Sequence, residues 1–429
     1  MKMHFYAPDL PQTWTSERLK FNTYIKGRIG WQGLRAEEFG DVGCLCVTGT
    51  DFINGEISWE SCYKITEQRY QEDPAIHLRR DDLLVTKDGT IGKLALVKHL
   101  PGPATLNSGV FVTRPTSNRY DPRFLYWVLA SPDFQTFVEL ESNGSTINHL
   151  FQNVFENFSM PLPPRAQQDR IANFLDEKTA RIDALIAEKE RLDGLLGEYR
   201  SSWITATVTG HVDVETGAMF PGAHEGGGGV STLCPLPTSL PLRPLKYIAP
   251  LRGEKVDSVP SHGEYLGLEQ IESWTGKLSG VELTQAPEGG ANVFYPGDVL
   301  FGKLRPYLAK AWVADRTGYC TTESLVLQPA AADSRFIRYC LLTPQAVSAI
   351  NGSTYGTKMP RADWGFVGAL QLPLPTRSEQ TRIANFLDEQ TARIDALREH
   401  CKAHVALLCE YRSSMISAAV TGQLDIDHQ

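Results

Sequence analysis

The 429-residue sequence contains no run of eighteen apolar residues, so no segment reads as a membrane-spanning helix. Its first residues, MKMHFYAPDLPQTW, lack the charged, apolar and small-residue zones of a secretory signal, and a cytoplasmic protein is expected. Eight cysteines, at 44, 46, 62, 234, 320, 340, 401 and 409, form no CxxC pair and no regular framework. That suits a reducing compartment and argues against structural zinc. An excess of positive charge is missing too: 42 Lys and Arg against 50 Asp and Glu leave a net charge of −8. Binding to nucleic acid would therefore need local basic surfaces, or a partner that supplies part of the phosphate contact.

Catalytic signatures are equally scarce. The Asn/Asp-Pro-Pro-aromatic box of an amino-methyltransferase does not occur. DGTIGKL at Asp88 lacks the GxxxxGK[ST] spacing of a phosphate loop, and reads better as a turn in which Gly89 and Gly92 supply positive φ. Asp176-Glu177-Lys178 mimics the tail of a metal-dependent nuclease, but it lies in a helical pattern and its lysine is replaced by Gln390 in a second copy. His400, Cys401 and His404 have helical i, i+4 spacing, yet Glu188, Lys189 and Leu192 occupy the matching positions of the first copy. Variation along a packed face explains them better than a metal, and no metal site is expected. No serine–histidine–aspartate constellation is present.

What the chain has instead is repetition. RIANFLDEKTARIDAL from Arg170 recurs from Arg382 with one change, at an offset of 212. The same offset relates PLPPRAQQD (Pro161) to PLPTRSEQT (Pro373), and EYRSSWITATVTG (Glu198) to EYRSSMISAAVTG (Glu410). Each proline-rich start leads into roughly forty proline-free residues, a helix of about 60 Å. Apolar residues recur in heptad rows: Ile171, Leu185, Leu192 with Leu175, Ile182, Leu196, and in the second copy Ile383, Leu397 with Leu387, Ile394, Leu408. Such a stripe cannot be buried by one helix alone, so the two are expected to pack on each other along a coiled-coil seam. The polar face repeats as well (Asp176, Glu177, Arg181, Asp183, then Asp388, Glu389, Arg393, Asp395), which suggests a repeated contact with an outside partner.

The rods alternate with two heads of strand-like runs, glycine, proline and turn clusters such as GTDFINGE and SWTGKLSG. RRDDLLVTKDGTIGKLALV parallels YPGDVLFGKLRPYLAKAWV, aligning Asp82 with Asp298 and Lys87 with Lys303, and NGST at Asn143 recurs at Asn351. Around these anchors the heads differ freely. The expected fold is α+β, two mixed α/β domains separated by two long helices, with a pseudo-twofold internal repeat. The expected division is an N-terminal segment (1–16), first head (17–164), first helical region (165–212), flexible linker (213–240), second head (241–376) and second helical region (377–429).

In this order and in duplicate, the PLPPxxxQxRIAxFLDExTxxID helices, the D-[LV]-L…GK turns and the NGST runs resemble the specificity subunits of type I restriction-modification systems. The resemblance covers nearly the whole chain. It implies two target recognition domains, each reading half of an asymmetric bipartite site in double-stranded DNA, and two helices packed as an antiparallel coiled coil that sets the spacer between the halves. It also implies two docked methyltransferase subunits and, through them, a restriction subunit in a bacterial or archaeal cytoplasm. The alternative is a methylation-only or fused system without a separate nuclease. This subunit is then non-catalytic and binds no cofactor: S-adenosylmethionine belongs to the methyltransferase, ATP and Mg to the restriction subunit.

DNA contacts are expected on the turns after the D-[LV]-L strands, at Lys87, Thr90 and Lys93 and at Lys303, Arg305 and Tyr307. The NGST regions add Asn143, Ser145, Thr146 and Asn148, with Asn351, Ser353, Thr354, Lys358 and Arg361. Two other readings compete. A self-contained nuclease or methyltransferase has no room for a catalytic domain of ~100–150 residues beside the heads and rods. A coiled-coil scaffold that binds only proteins is the other, and a mobility shift on duplex DNA with and without a co-expressed methyltransferase separates the three readings.

Overall fold

The computed structural model describes residues 10–28, 34–142, 149–219, 240–280, 289–330, 332–356 and 358–426. The chain forms two compact units, and neither is a continuous segment: one comprises Met1–Lys189 with Ala403–Gln429, the other Glu190–Lys402. Two mixed α/β heads alternate with two 44-residue helices, Arg165–Val208 and Arg377–Val420. Each unit therefore holds one head, the start of the rod that follows it, and the end of the other rod.

The head of the first unit opens and closes on one strand pair, Thr15–Arg18 antiparallel to Ser159–Leu162. Inside it lies a four-stranded antiparallel sheet in the order Thr23–Gly27, Val110–Pro115, Leu83–Thr86, Leu94–Leu96. A three-stranded sheet joins Tyr63–Ile65, Cys44–Val47 and Ala104–Leu106, the last pairing parallel. In the second unit Leu242–Pro244 pairs with Gln371–Pro373, and the central strand Val299–Gly302 lies between Ala311–Val313 and Ser324–Leu327. Two short helices follow each sheet: Pro122–Leu129 and Pro132–Ser142, then Ser334–Leu341 and Pro344–Gly352.

The repeated motif at the rod start joins rod to head. Gln168 is fully buried; its amide oxygen accepts from the Asp121 N–H (2.9 Å) and its NH₂ donates to the Pro163 carbonyl (2.8 Å). Asp121 in turn caps the helix that begins at Pro122. At an offset of 212, Gln380 accepts from the Asp333 N–H (2.8 Å) and donates to the Pro375 carbonyl (2.8 Å), and Asp333 caps the helix from Ser334. The invariant glutamine thus satisfies polar groups that burial would otherwise leave unpaired. At their far ends the rods stop at Gly210 (φ +79°) and Gly422 (φ +73°). There His211 N–H reaches the Ala206 carbonyl and Gln423 N–H the Ala418 carbonyl, the six-to-one bond of a Schellman ending.

Both units bury rod residues in the head core. In the first, Ile171, Ala172, Leu175 and Ile182 pack in one cluster with Phe124, Phe134 and Phe158 and with Met415, Ile416, Ala419 and Val420 of the other rod. In the second, Ile204 and Val208 of the first rod join Leu387, Phe336 and Leu372. Here the rods pair Asp193 with Arg398, Arg200 with Asp395 and Trp203 with Phe386, numbers rising on one helix as they fall on the other. The packing is antiparallel.

The seam differs from the heptad rows in its middle. Ile171, Leu175, Ile182, Leu387 and Ile394 are buried, and Leu196, Ile383 and Leu408 are half-buried. Leu185, Leu192 and Leu397 are 45%, 40% and 53% exposed, which corrects their assignment to the seam. A straight α-helix drifts by ~20° per heptad, so a strict seven-residue row leaves the contact line after two heptads. Ile186, the next residue round, packs on the core in place of Leu185.

Repeat-related arginines and aspartates also link the rods. Arg412 donates from Nε to Asp183 Oδ1 (2.8 Å) in the first unit, and Arg200 donates from Nε to Asp395 Oδ1 (2.9 Å) in the second. The EYR arginine of each copy thereby meets the RID aspartate of the other. Their surroundings differ: the Arg412 and Asp183 side chains are 31% and 53% exposed, those of Arg200 and Asp395 only 5% and 11%. Breaking a buried pair strands a charge, at about 3–5 kcal/mol, whereas an exposed pair contributes ~0–1 kcal/mol. Arg200→Met should therefore lower unfolding stability severalfold more than Arg412→Met in denaturant titrations. Equal losses would contradict the assignment of one pair to the interior and the other to the surface.

Candidate nucleic-acid interface

In each head an aspartate precedes the central strand and fixes its start. Asp82 accepts from the Arg79 N–H (2.7 Å) and from both arms of Arg114 (Nε 2.5 Å, Nη2 2.7 Å). Asp298 accepts from the Tyr295 N–H (2.8 Å) and from both arms of Arg252 (Nε 2.7 Å, Nη2 2.9 Å). Burial pushes the Asp82 carboxyl up from its ordinary range, and the Arg114 fork opposes that push. The two arginines come from different places, Arg114 after the central strand and Arg252 before it. The D-[LV]-L signature is thus a structural device: a buried carboxylate that ties a turn and takes a bidentate arginine.

At the other end of the central strands the two turns that follow them are held by equivalent backbone bonds. Lys87 N–H donates to the Gly109 carbonyl (2.9 Å) and its carbonyl accepts from Leu150 N–H (2.9 Å). Lys303 N–H donates to the Glu323 carbonyl (2.9 Å) and its carbonyl accepts from Ala362 N–H (2.9 Å). Thr86 N–H closes the first turn on Lys93 O (3.0 Å), and Gly302 N–H closes the second on Lys310 O (2.9 Å). Within the first turn Gly89 and Gly92 take φ of +70° and +82°, as the sequence suggests, and the Thr86 hydroxyl donates to the Thr90 carbonyl (2.5 Å). In the second, Arg305 and Ala309 take φ of +50° and +45°, a conformation that costs non-glycine residues of order 1 kcal/mol and concentrates at functional sites.

The side chains on this shared frame differ. Lys87 lies 5.1 Å above the Phe111 ring; Thr90 and Lys93 are exposed. His149 Nδ1 pairs with Asp88, and its ring meets Phe151 edge-on. In the second head Lys303 is half-buried and Arg305 exposed; Tyr307 is 46% exposed. Arg361 stands where His149 stands in the first copy, its Nε 3.1 Å from both Glu323 oxygens. Lys310, the counterpart of Lys93, turns inward: its Nζ donates to the Leu268 carbonyl (2.6 Å), and burial lowers its pKa.

The NGST run of the second head has a partly different role from a phosphate clamp. Asn351 and Gly352 end a helix, the Ser353 hydroxyl donates to the Ile350 carbonyl (2.7 Å), and the Thr354 hydroxyl donates to the Asn351 carbonyl (2.8 Å). These hydroxyls are engaged in closing the helix. Lys358, just beyond, is exposed. Asn143, Ser145, Thr146 and Asn148 lie outside the described residues. Sequence reasoning did not find Asp88–His149, Glu323, Tyr355 or Met359; only the backbone bonds reveal that these residues reach the turns.

The repeated polar face is narrower than the sequence suggests. Asp176 accepts from Trp127 Nε1 (2.8 Å) and pairs with Arg123. Asp388 accepts from Arg335 (2.8 Å), Arg338 (3.0 Å) and Tyr339 OH (2.6 Å). Asp183 and Asp395 form the cross-rod pairs, Asp395 taking Lys277 as well (2.8 Å). Glu177 with Arg181 and Glu389 with Arg393 remain exposed, each as an i, i+4 pair with side chains 60–69% exposed.

A cleft of about 750 Å³ in the second unit is lined by Gly197, Arg200, Ser201, Trp274, Gln345 and Arg398. Both arginines are engaged, Arg200 by Asp395 and the Trp274 and Thr275 carbonyls, Arg398 by Asp193. Among the described residues no group of three or more His, Cys, Asp or Glu is placed to hold a metal; Cys401 is buried while His400 and His404 are exposed.

Comparison with known proteins gives this geometry its context. Residues 36–192 match the type I restriction modification DNA specificity domain. The EcoDI specificity subunit of Escherichia coli is 24% identical over 333 residues, covering 70% of each chain. The MjaVIII specificity subunit of Methanocaldococcus jannaschii is 20% identical over 455 aligned positions, covering 97% of this chain and 94% of that one. A solved chain from work on complex assembly and conformational transition of the type I R-M system shares the fold, with a TM-score of 0.68 at 18% identity, covering 97% of this chain and all of that one. Over most of its length the chain is similar to the specificity subunits of type I restriction-modification systems.

Proposed function

We propose that the two heads, at 17–164 and 241–376, each read one half of an asymmetric bipartite site in double-stranded DNA, and that the rods set the unread spacer between the halves. The observation that carries this reading is the pair of reading turns. Equivalent backbone bonds hold Lys87 and Lys303, while the neighbouring side chains diverge from Asp88 and His149 to Glu323 and Arg361. A constant frame with variable side chains suits two readers of different base sequences. Lys87, Thr90, Lys93, Lys303, Arg305, Tyr307, Lys358 and Arg361 are the contacts we assign to DNA. The net charge of −8 fits a subunit whose affinity for DNA is completed by its partners. Those partners are two methyltransferase subunits that bring S-adenosylmethionine and, through them, a restriction subunit that brings ATP and Mg.

Exchanging residues 17–164 for the first head of a relative, co-expressed with the methyltransferase, should change one half of the methylated site and leave the other half intact. A change in both halves would reject independent heads.

Glu177 with Arg181 and Glu389 with Arg393 form the repeated face left free for the methyltransferase, because the neighbouring aspartates are engaged within the fold. Reversing charge at Glu177 and Arg181 should reduce native-mass stoichiometry from two partners to one, and reversing Glu389 and Arg393 as well should reduce it to none. Two partners on the doubly reversed chain would mean that this face is merely solvated.

A further inference from the structure

Three large side chains, Tyr307 (46% exposed), Tyr355 (63%) and Met359 (50%), stand in solvent on the second head. They come from two segments joined by backbone bonds. Tyr355 and Arg361 bond each other in both directions (3.2 and 3.1 Å), closing a hairpin, and Arg305 N–H donates to the Pro360 carbonyl (2.8 Å), tying that hairpin to the reading turn. The hairpin is further secured at its base by Arg361 on Glu323. This apolar tip is flanked by the exposed cations Arg305 and Lys358. Leaving tyrosine and methionine in water forgoes ~25 cal/mol for each Å² of apolar area, so a fixed apolar tip among cations points to a ligand with an apolar spot beside negative charge.

Duplex DNA offers one such group at a base edge. The C5-methyl of thymine lies in the major groove, flanked by phosphates, and is the only apolar feature in that groove's pattern. Methionine offers a base edge only a weakly accepting sulfur, so its main contribution there is apolar contact. In the first head the positions of Leu304 and Arg361 are taken by the Asp88–His149 pair. We propose that Tyr355 and Met359, with Tyr307 beside them, form an apolar reading tip that recognises a thymine methyl in the half-site of the second head. The cations flanking it contact phosphate. This inference rests on the second head being a reader of duplex DNA, and it adds which chemical feature that head reads.

The test uses the full chain with its methyltransferase subunits and a site whose second half has been assigned by head exchange. Each thymine of that half, on either strand, is replaced singly by deoxyuridine, which removes only the methyl. Affinity should fall about fourfold at one position, the factor that corresponds to ~0.8 kcal/mol for one buried methyl group. In Met359→Ala the same replacement should have no effect, and thymines of the other half should be insensitive in both proteins. Deoxyuridine without effect at every position of the second half would overturn the inference while leaving the bipartite reading intact. So would a Met359→Ala chain that weakens binding equally on thymine and deoxyuridine sites, the mark of a wedge between base steps. Loss of methyltransferase binding by Met359→Ala would overturn it as well, because the tip would then be a protein contact. If no half of the site follows the second head on exchange, the bipartite reading itself has failed.

Discussion

A 44-residue amphipathic helix cannot bury its own apolar stripe, and the architecture follows from how this chain satisfies that constraint twice. Each rod starts in the core of one head and finishes in the core of the other unit, so Ile171 and Val420 share one cluster while Val208 and Leu387 share another. Neither unit can form from a continuous stretch of sequence. The repeat is therefore needed in its internal contacts: the arginine of one EYR must find the aspartate of the other RID, and each copy carries both halves of that pair. Gln168 and Gln380 extend the same economy to the junction of rod and head.

Within the heads, constancy and variation are separated along one strand. The end that starts with Asp82 or Asp298 is buried and held by a bidentate arginine, although the arginine comes from a different segment in each head. The end that carries Lys87 or Lys303 opens into a turn whose equivalent bonds in the two heads are between backbone atoms. Backbone bonds do not depend on side-chain identity, so the residues displayed there can change without loss of the frame. A family that must read many DNA sequences on one fold needs that property.

Much of this was legible in the sequence. The 212-residue offset located the rods, the heptad rows their packing on each other, and the glycines of DGTIGKL their positive φ. Burial at the rod centre was not legible, because seven-residue rows assume supercoiling and cannot say where a neighbouring residue such as Ile186 replaces Leu185. The internal partners of the repeated aspartates were not legible for a related reason. Asp176, Asp183, Asp388 and Asp395 read in sequence as part of a repeated face for an outside partner, and their partners within the fold lie dozens to hundreds of residues away, at Trp127, Arg412, Tyr339 and Arg200. Arg361 and Met359 show the same limit at the reading turn. Their placement depends on Glu323 and Arg305, which no local pattern connects to them.

The central claim is that one chain carries two different readers on equivalent frames. The most direct measurement is a map of the modified bases in DNA from cells that express the unaltered chain with its methyltransferase partner. The account predicts one site made of two unlike specified halves separated by a gap of fixed length in which any base is accepted. A continuous site, or a palindrome with identical halves, would contradict it.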